Sequence, residues 1–529
     1  MPEDLSPAPT PAEETNLDIL TKVNAMLENY VASLDDRHHK VVQFKSPEEI
    51  SRIFSEKACD LSLKDGQPAG EERILKACEA TLALSVRTGH PHFFNQLIGR
   101  ADVTGIAGET LVAATNGSAY TYEVAPVFLL VEQEVMNKTF DLVGFSRDTA
   151  EGLTVPGGSI SNLYALQTAR YYKFPKVKTE GIFAIGGQPV AYCSAGAHYS
   201  YTKAALVVGL GSNNMVEIPM DSRGRMRADL LEKRVAEDLA VGKKPFFVGA
   251  TAGTTVMGAF DDIEALREVC DKFGLWLHVD GAWGGAVLLS PKYKKALLSG
   301  VDKADSFCWN PHKMVGAPLQ CSIFTHNKGH GLLQACNGTC ATYLFQKDKN
   351  YSSYDKGDWT IQCGRKPDAF KTWLAWKRLG DDGIRRRVEY GIELARYAAS
   401  EIKKSSADSS RFAGKFVLYR DPEYANVCFW YLPPSLFHLE PLEGLNDEDA
   451  AKLTKARNSS MIRGYGGSFQ VTPYIKDKMQ RVGLALITFT GPYNFFRWTF
   501  TSPRNVRYDD VDIVLNDIDR IGRDFVYSD

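Results

Sequence analysis

From about residue 86 to residue 380 the chain alternates short β-branched and apolar runs with stretches of helical periodicity, and this alternation most narrows what it can fold into. Residues 182–185, 190–194, 246–250, 276–279 and 322–325 read as strands bounded by Gly, Pro or polar turns. Residues 160–172 and 261–273 carry apolar side chains at helical spacing between them. Such alternation predicts an α/β fold, with a mostly parallel sheet covered by helices on both faces. Ligands of such sheets bind beyond the carboxyl ends of the strands, so chemistry is expected at strand–helix turns.

The flanks read differently. Residues 1–15 are rich in Pro and acid and predict a loose tail. Leu17, Leu20, Val23, Met26, Leu27 and Val31, and again Ile74, Leu75, Cys78, Leu82 and Leu84, recur at helical spacing over 16–34 and 71–85. Paired amphipathic helices outside a domain core often bury their apolar faces on another subunit, so 1–85 reads as a tail and helical dimerisation segment. The span 86–380 reads as the large domain. Beyond it, a charged helix (382–404), strands near 426–431 and 484–490 and an amphipathic helix (509–525) suggest a smaller α+β domain over 381–529.

Composition removes several classes of function. Lys and Arg number 62 against 64 Asp and Glu, a net charge of −2, which gives no general attraction to nucleic acid or an anionic membrane. The longest apolar runs, 204–210 and 482–487, fall far short of the ~20 residues needed to span a bilayer. The first residues lack a basic stretch followed by an apolar one, and no Arg precedes Arg37, so a cytoplasmic location is expected. The ten cysteines include no CxxC pair, and no His pair follows the closest spacing, Cys336-x3-Cys340. Reduced thiols and no metal site are the expectation.

Four segments carry chemistry. Lys313, in Asn310-Pro-His-Lys313, follows the apolar run Phe307-Cys-Trp309, and burial there lowers a lysine's pKa and suits it to react with an aldehyde. Asp280, in His278-Val-Asp280-Gly-Ala282, stands at the C-terminal end of a buried strand, where it can pair with a cationic ring nitrogen or a metal. His278 and Asp280 share one face of that strand, but no further metal ligand stands nearby at suitable spacing. Pro156-Gly-Gly158-Ser159-Ile-Ser161-Asn162 opens a helix whose first turn offers N–H groups and a positive dipole end to a phosphate. It matches neither GxxxxGK[ST] nor GxGxxG. The fourth segment, Ala195-Gly-Ala-His198, offers a histidine for stacking.

A phosphate cradle, a stacking histidine, an acid at a strand end and a sheltered lysine 33 residues later are the parts of a pyridoxal 5′-phosphate (PLP) site. With His92-Phe-Phe-Asn-Gln96-Leu, Thr121-Tyr-Glu-Val-Ala-Pro-Val-Phe128, Ala250-Thr251-Ala-Gly-Thr-Thr and Tyr343-Leu-Phe-Gln, the chain resembles the group II PLP-dependent decarboxylases from about residue 20 onward. The likeness is to the branch that takes glutamate, cysteine sulfinate and aspartate.

That resemblance implies fold type I, the aspartate-aminotransferase-like fold, and a homodimer with active sites at the subunit interface. Lys313 resembles the lysine that holds the cofactor covalently, with His312 its neighbour. Asp280 resembles the partner of the pyridine nitrogen, Ala282 the residue beneath the ring and His198 the one stacked on it. Gly158, Ser159, Ser306 and Asn310 match phosphate contacts, and Thr251 a contact near the ring hydroxyl. Tyr343 matches the loop tyrosine that returns a proton to Cα, Arg497 the arginine that pairs with the acidic substrate, and Gln96 a residue of the same pocket. Ile98 and Ser118 resemble the cysteine sulfinate enzymes, whereas 314–319 is closer to aspartate-type sequences. Cysteine sulfinate or aspartate is therefore the expected substrate, with glutamate the alternative and an inactive scaffold the remoter one.

Overall fold

The strands of the computed structural model are, in chain order, β1 (Phe93–Phe94), β2 (Glu151–Val155), β3 (Pro189–Ser194), β4 (Met215–Ile218), β5 (Lys244–Thr251), β6 (Trp276–Gly281), β7 (Ser306–Trp309), β8 (Ser322–His326), β9 (Phe416–Leu418), β10 (Asn426–Tyr431), β11 (Leu486–Thr490) and β12 (Phe495–Thr499). The structure describes residues 17–64, 66, 68–345, 348–405, 410, 412–434, 468–490 and 495–525, so the tail over 1–15 lies outside the described residues.

β2–β8 form one seven-stranded sheet in the order β2-β8-β7-β6-β5-β3-β4. Only β8 runs against its neighbours, and the remaining pairs are parallel. Successive residues point to opposite faces, so Phe247 and Trp276 join one core with Leu163 and Leu166. Val248 and Leu277 join the other, with Leu266 and Val269. Helices Gly158–Lys173 and Ile263–Phe273 supply those partners, which places helices on both faces. This is the fold type I arrangement.

One strand expectation fails. Residues 182–185 form a 3₁₀ turn, Ile182–Ile185, because Gly181 (φ 78°) and Gly186 (φ 66°) curl the backbone at both ends. Helices that were not expected include Pro47–Lys57, Val103–Thr115, Pro126–Val143 and Ser468–Val482. The first is closed by a capping box, in which Ser46 Oγ accepts from Glu49 N and Glu49 accepts from Ser46 N. The charged helix begins earlier than expected, at Asp368, and breaks at Gly380 before running on to Lys404.

The second sheet has the order β1-β11-β12-β10-β9. β1 pairs in parallel with β11, Phe93 opposite Leu486 and Phe94 opposite Ile487. Residues 93–94 thus belong to the sheet of the C-terminal part, across the expected boundary at 380/381. The N-terminal helices Asp18–Ala32 and Glu71–Leu84 bury no residue, and Leu17, Leu20, Leu27 and Ile74 are exposed. Among the described residues no helix is long and apolar enough to cross a membrane.

Candidate active site

At the carboxyl ends of β5 and β6 lies a cavity of about 220 Å³. Gly158, Ser159, His198, Thr251, Asp280, Ala282, Asn310 and Lys313 all line it, so residues up to 155 positions apart in sequence meet there. The sheet places them: Thr251 on β5 stands opposite Asp280 on β6, and Asp280 opposite Cys308 on β7.

The helix Gly158–Lys173 points its first turn into the cavity. Gly157 takes φ 95°, which glycine adopts without strain, to turn the chain from β2 into the helix. A Cβ on Gly158 would lie 3.0 Å from Asn310 Nδ2 and 3.1 Å from Ala282 Cβ, so glycine keeps the cradle open. Asn310 is fixed by Ser322 Oγ, which donates to its Oδ1 at 2.6 Å.

Asp280 is buried, and its carboxylate accepts from Ala282 N (2.9 Å) at Oδ1 and from Asn162 Nδ2 (2.8 Å) at Oδ2. Burial lowers the pKa of Lys313, with the negative charge of Asp280 opposing part of that fall. Burial likewise lowers His198, with Asp280 raising it and Lys313 and Lys203 lowering it further. His198 Nδ1 accepts from Ser200 N at 3.2 Å. Thr251 Oγ1 is buried without a hydrogen-bond partner, while its N–H donates to Asp261 Oδ2 at 2.7 Å.

Two expected cofactor contacts do not face the cavity. Ser306, an expected phosphate contact, sits at the start of β7, fully buried. Its hydroxyl is taken by Trp276 Nε1 and His278 Nδ1, each at 2.8 Å. His312 turns away and holds the following loop, with Cys321 N donating to its Nδ1 at 3.1 Å, and burial pulls its pKa down to about 4.

The substrate-side residues are more dispersed. Arg497, on β12, is buried and near enough to Lys313 to depress its pKa. Its Nη atoms donate to the carbonyls of Thr255 (3.1 Å) and Asn95 (2.8 Å), and its buried Nε has no partner. Gln96 is exposed, and its carbonyl accepts from Thr499 and Thr501. Ile98 packs on Val41, Val42, Phe93 and Leu486 rather than on the cavity. Ser118 Oγ accepts from Arg365 N, and Tyr343 is 78% exposed. None of these five, Arg497 included, lines the cavity of its own chain.

Asn162, in the same glycine-led motif, is a site residue that the sequence expectations do not include. It lines the cavity, 1% exposed, and joins Asp280 to His278 and Ser200. The signal was the i, i+4 spacing from Gly158, which puts both on one helical face. Thr255 and Trp283 line the cavity as well. Among the described residues no cluster of His, Cys, Asp and Glu could hold a metal ion, and all ten cysteines are free.

These residues fit PLP. The cradle that a Cβ at Gly158 would crowd, the orphaned Thr251 hydroxyl, the carboxyl group of Asp280 held by Asn162 and Ala282, and the lysine with depressed pKa are the complement the cofactor needs.

The comparisons agree. The model of the pyridoxal-dependent decarboxylase conserved domain matches residues 55–432. The acidic amino acid decarboxylase GADL1 of Bos taurus is 42% identical over 506 residues, which cover 94% of this chain and 89% of the relative. GADL1 of Mus musculus is 41% identical over 505 residues, covering 94% and 84%. The crystal structure of mouse CSAD superposes with a TM-score of 0.84 at 36% identity, covering 96% of this chain and 98% of that one. The chain is a PLP-dependent amino-acid decarboxylase and belongs to the pyridoxal-dependent decarboxylase family.

Proposed function

We propose that the enzyme removes the α-carboxylate of a small acidic amino acid, cysteine sulfinate or aspartate in preference to glutamate, as a homodimer. The observation that carries the acidic preference is Arg497. It is a buried guanidinium near Lys313, held by two backbone carbonyls and paired with no carboxylate among the described residues. An uncompensated buried cation favours an anionic side chain and disfavours an aromatic one. The names of the GADL1 relatives point the same way.

Lys313, Asp280, His198, Ala282, Thr251, Asn310, Gly158 and Ser159 would hold the cofactor. PLP, when bound, supplies a reactive aldehyde and a ring that takes up the electron pair left by departing carbon dioxide. The chain's own residues do the rest. Lys313, whose pKa burial lowers, would supply the amine that holds the cofactor. The carboxylate of Asp280 would favour a protonated ring nitrogen. Arg497 anchors the substrate's side-chain anion, and Tyr343 delivers a proton to Cα once carbon dioxide has gone.

Gln96, Ile98, Ser118 and Tyr343 stand outside the cavity of their own chain, which is the reason for proposing that a second copy completes the site. The exposed apolar residues Val103 and Leu111, and Val127 and Leu130 on the next helix, give that copy a surface to cover. The free thiols suit a cytoplasmic setting. Carbon dioxide release from cysteine sulfinate, aspartate and glutamate, measured in parallel, tests the reading. Glutamate preferred about tenfold or more sinks the short-acid preference. An aromatic amino acid preferred to all three sinks the role of Arg497.

A further inference from the structure

Beneath the cavity the buried polar groups connect in a single line. Trp276 Nε1 lies 2.8 Å from Ser306 Oγ, and Ser306 Oγ 2.8 Å from His278 Nδ1. His278 Nε2 lies 3.1 Å from Asn162 Oδ1, and Asn162 Nδ2 2.8 Å from Asp280 Oδ2. Every member is at most 4% exposed. Asn162 and Asp280 line the cavity, and the groups behind them find their partners inside the chain.

Both ends set the direction of the protons. An ionised Asp280 can only accept, so the amide of Asn162 must turn its NH₂ toward the carboxylate. The second Nδ2 hydrogen goes to Ser200 Oγ, at 2.8 Å. Asn162 Oδ1 is thereby left facing His278 Nε2, which must carry a hydrogen. Burial holds His278 neutral, its pKa lowered to about 4, so Nδ1 is an acceptor. Ser306 must then donate to Nδ1. At the far end the Trp276 indole can only donate, and Ser306 Oγ accepts from it. With Asp280 a carboxylate, this arrangement satisfies all five groups, and each link donates toward Asp280.

We propose that Trp276, Ser306, His278 and Asn162 form a one-way hydrogen-bond chain that holds the Asp280 carboxylate in one orientation, with His278 as its central positioning residue. The inference rests on the reading of Asp280 as the partner of the PLP ring nitrogen. Cys308 lies along the same line, its Sγ 3.6 Å from Asp280 Oδ1 and 3.7 Å from Asn162 Oδ1. Against a carboxylate at Asp280, an Asn162 with its amide reversed would set two acceptors face to face within the core.

Packing and polarity make opposite predictions at residue 278. Gln keeps a donor for Asn162 and an acceptor for Ser306, whereas Phe fills the ring's volume and has neither. Wild type, His278→Gln, His278→Phe and Ser306→Ala are prepared without cofactor and titrated with PLP, and kcat and KM are then measured for the preferred acid. His278→Phe and Ser306→Ala are expected to weaken PLP binding roughly tenfold and to lower kcat with KM unchanged, while His278→Gln stays within about threefold of wild type. The proposal is overturned if Phe equals or surpasses Gln in PLP affinity, or if Ser306→Ala binds and turns over like wild type. Should His278→Phe fail to fold, Ser306→Ala decides alone, a loss supporting the chain and wild-type behaviour refuting it. Wild type that binds PLP but releases carbon dioxide from no acid refutes the functional reading, and the order of PLP affinities still reports on the chain.

Discussion

Lys313 works because the cavity makes its charge expensive, and Asp280 keeps that expense from becoming prohibitive. Burial lowers the pKa of the amine, so a larger share is neutral near physiological pH than for an exposed lysine. Lys313→Ala is expected to abolish turnover together with the covalent PLP absorbance, and wild-type activity with added PLP would reassign the lysine. Asp280→Asn keeps the size of the side chain and removes its charge. A fall in kcat of more than about a hundredfold, equivalent to ~3 kcal/mol of barrier, is expected in stopped-flow or steady-state assays. Tyr343→Phe removes the proposed proton donor to Cα. It should raise the pyridoxamine phosphate formed per turnover, and no increase would point to His198 instead.

Among the elements, the helix Gly158–Lys173 shows how a local sequence builds the site. Its opening glycines are needed for shape, since Gly158→Ala would set a Cβ 3.0 Å from Asn310 Nδ2. That variant should weaken PLP binding, measured by titration of the apoenzyme, while its thermal midpoint without PLP stays near wild type. Contiguous motifs of this kind are legible in sequence because chain neighbours do the positioning. His198, Asp280 and Lys313 were readable for the same reason. Ser306 was not, because a residue on a strand faces one of two sides, and its hydroxyl faces Trp276 and His278. Apolar character over 182–185 suggested a strand, yet the left-handed glycines at both ends outweigh it. The capping box at Ser46–Glu49 was open to reading, and it marks a helix that apolar spacing alone did not suggest.

For the whole molecule, long-range ion pairs bind parts that the sequence alone cannot bring together. Asp102, fully buried, pairs with Arg378, Arg387 and Arg504, and Arg387 also donates to the carbonyl of Val315, two residues beyond Lys313. Its carboxyl is held well below the usual range: burial alone would raise it, but the guanidinium of Arg387 and the hydroxyl of Thr104 lower it more. Glu132 is likewise lowered, to about 2, against its burial, by Arg365 and Lys356. A folded pKa below the unfolded one gives stability that is present above the unfolded value and lost as pH falls. The protein should therefore lose thermal stability as pH drops from ~4.5 toward 2, and Asp102→Asn should both destabilise it at neutral pH and flatten that acid limb. An acid limb of unchanged slope in Asp102→Asn would assign the effect to other carboxylates. None of these pairs was legible in sequence, since their partners stand as far apart as Asp102 and Arg504.

The parallel pairing of β1 with β11 has a temporal consequence. Phe93 and Phe94 can meet Leu486 and Ile487 only after nearly the whole chain has left the ribosome. Closing so long a loop comes late in folding, because its entropy is lost before its contacts form. The central sheet, complete by His326, can assemble first around the PLP cradle, and Arg497 arrives with the closing sheet. A nascent chain arrested before β11 should therefore present the proposed cofactor pocket without Arg497, the residue proposed to select the acid.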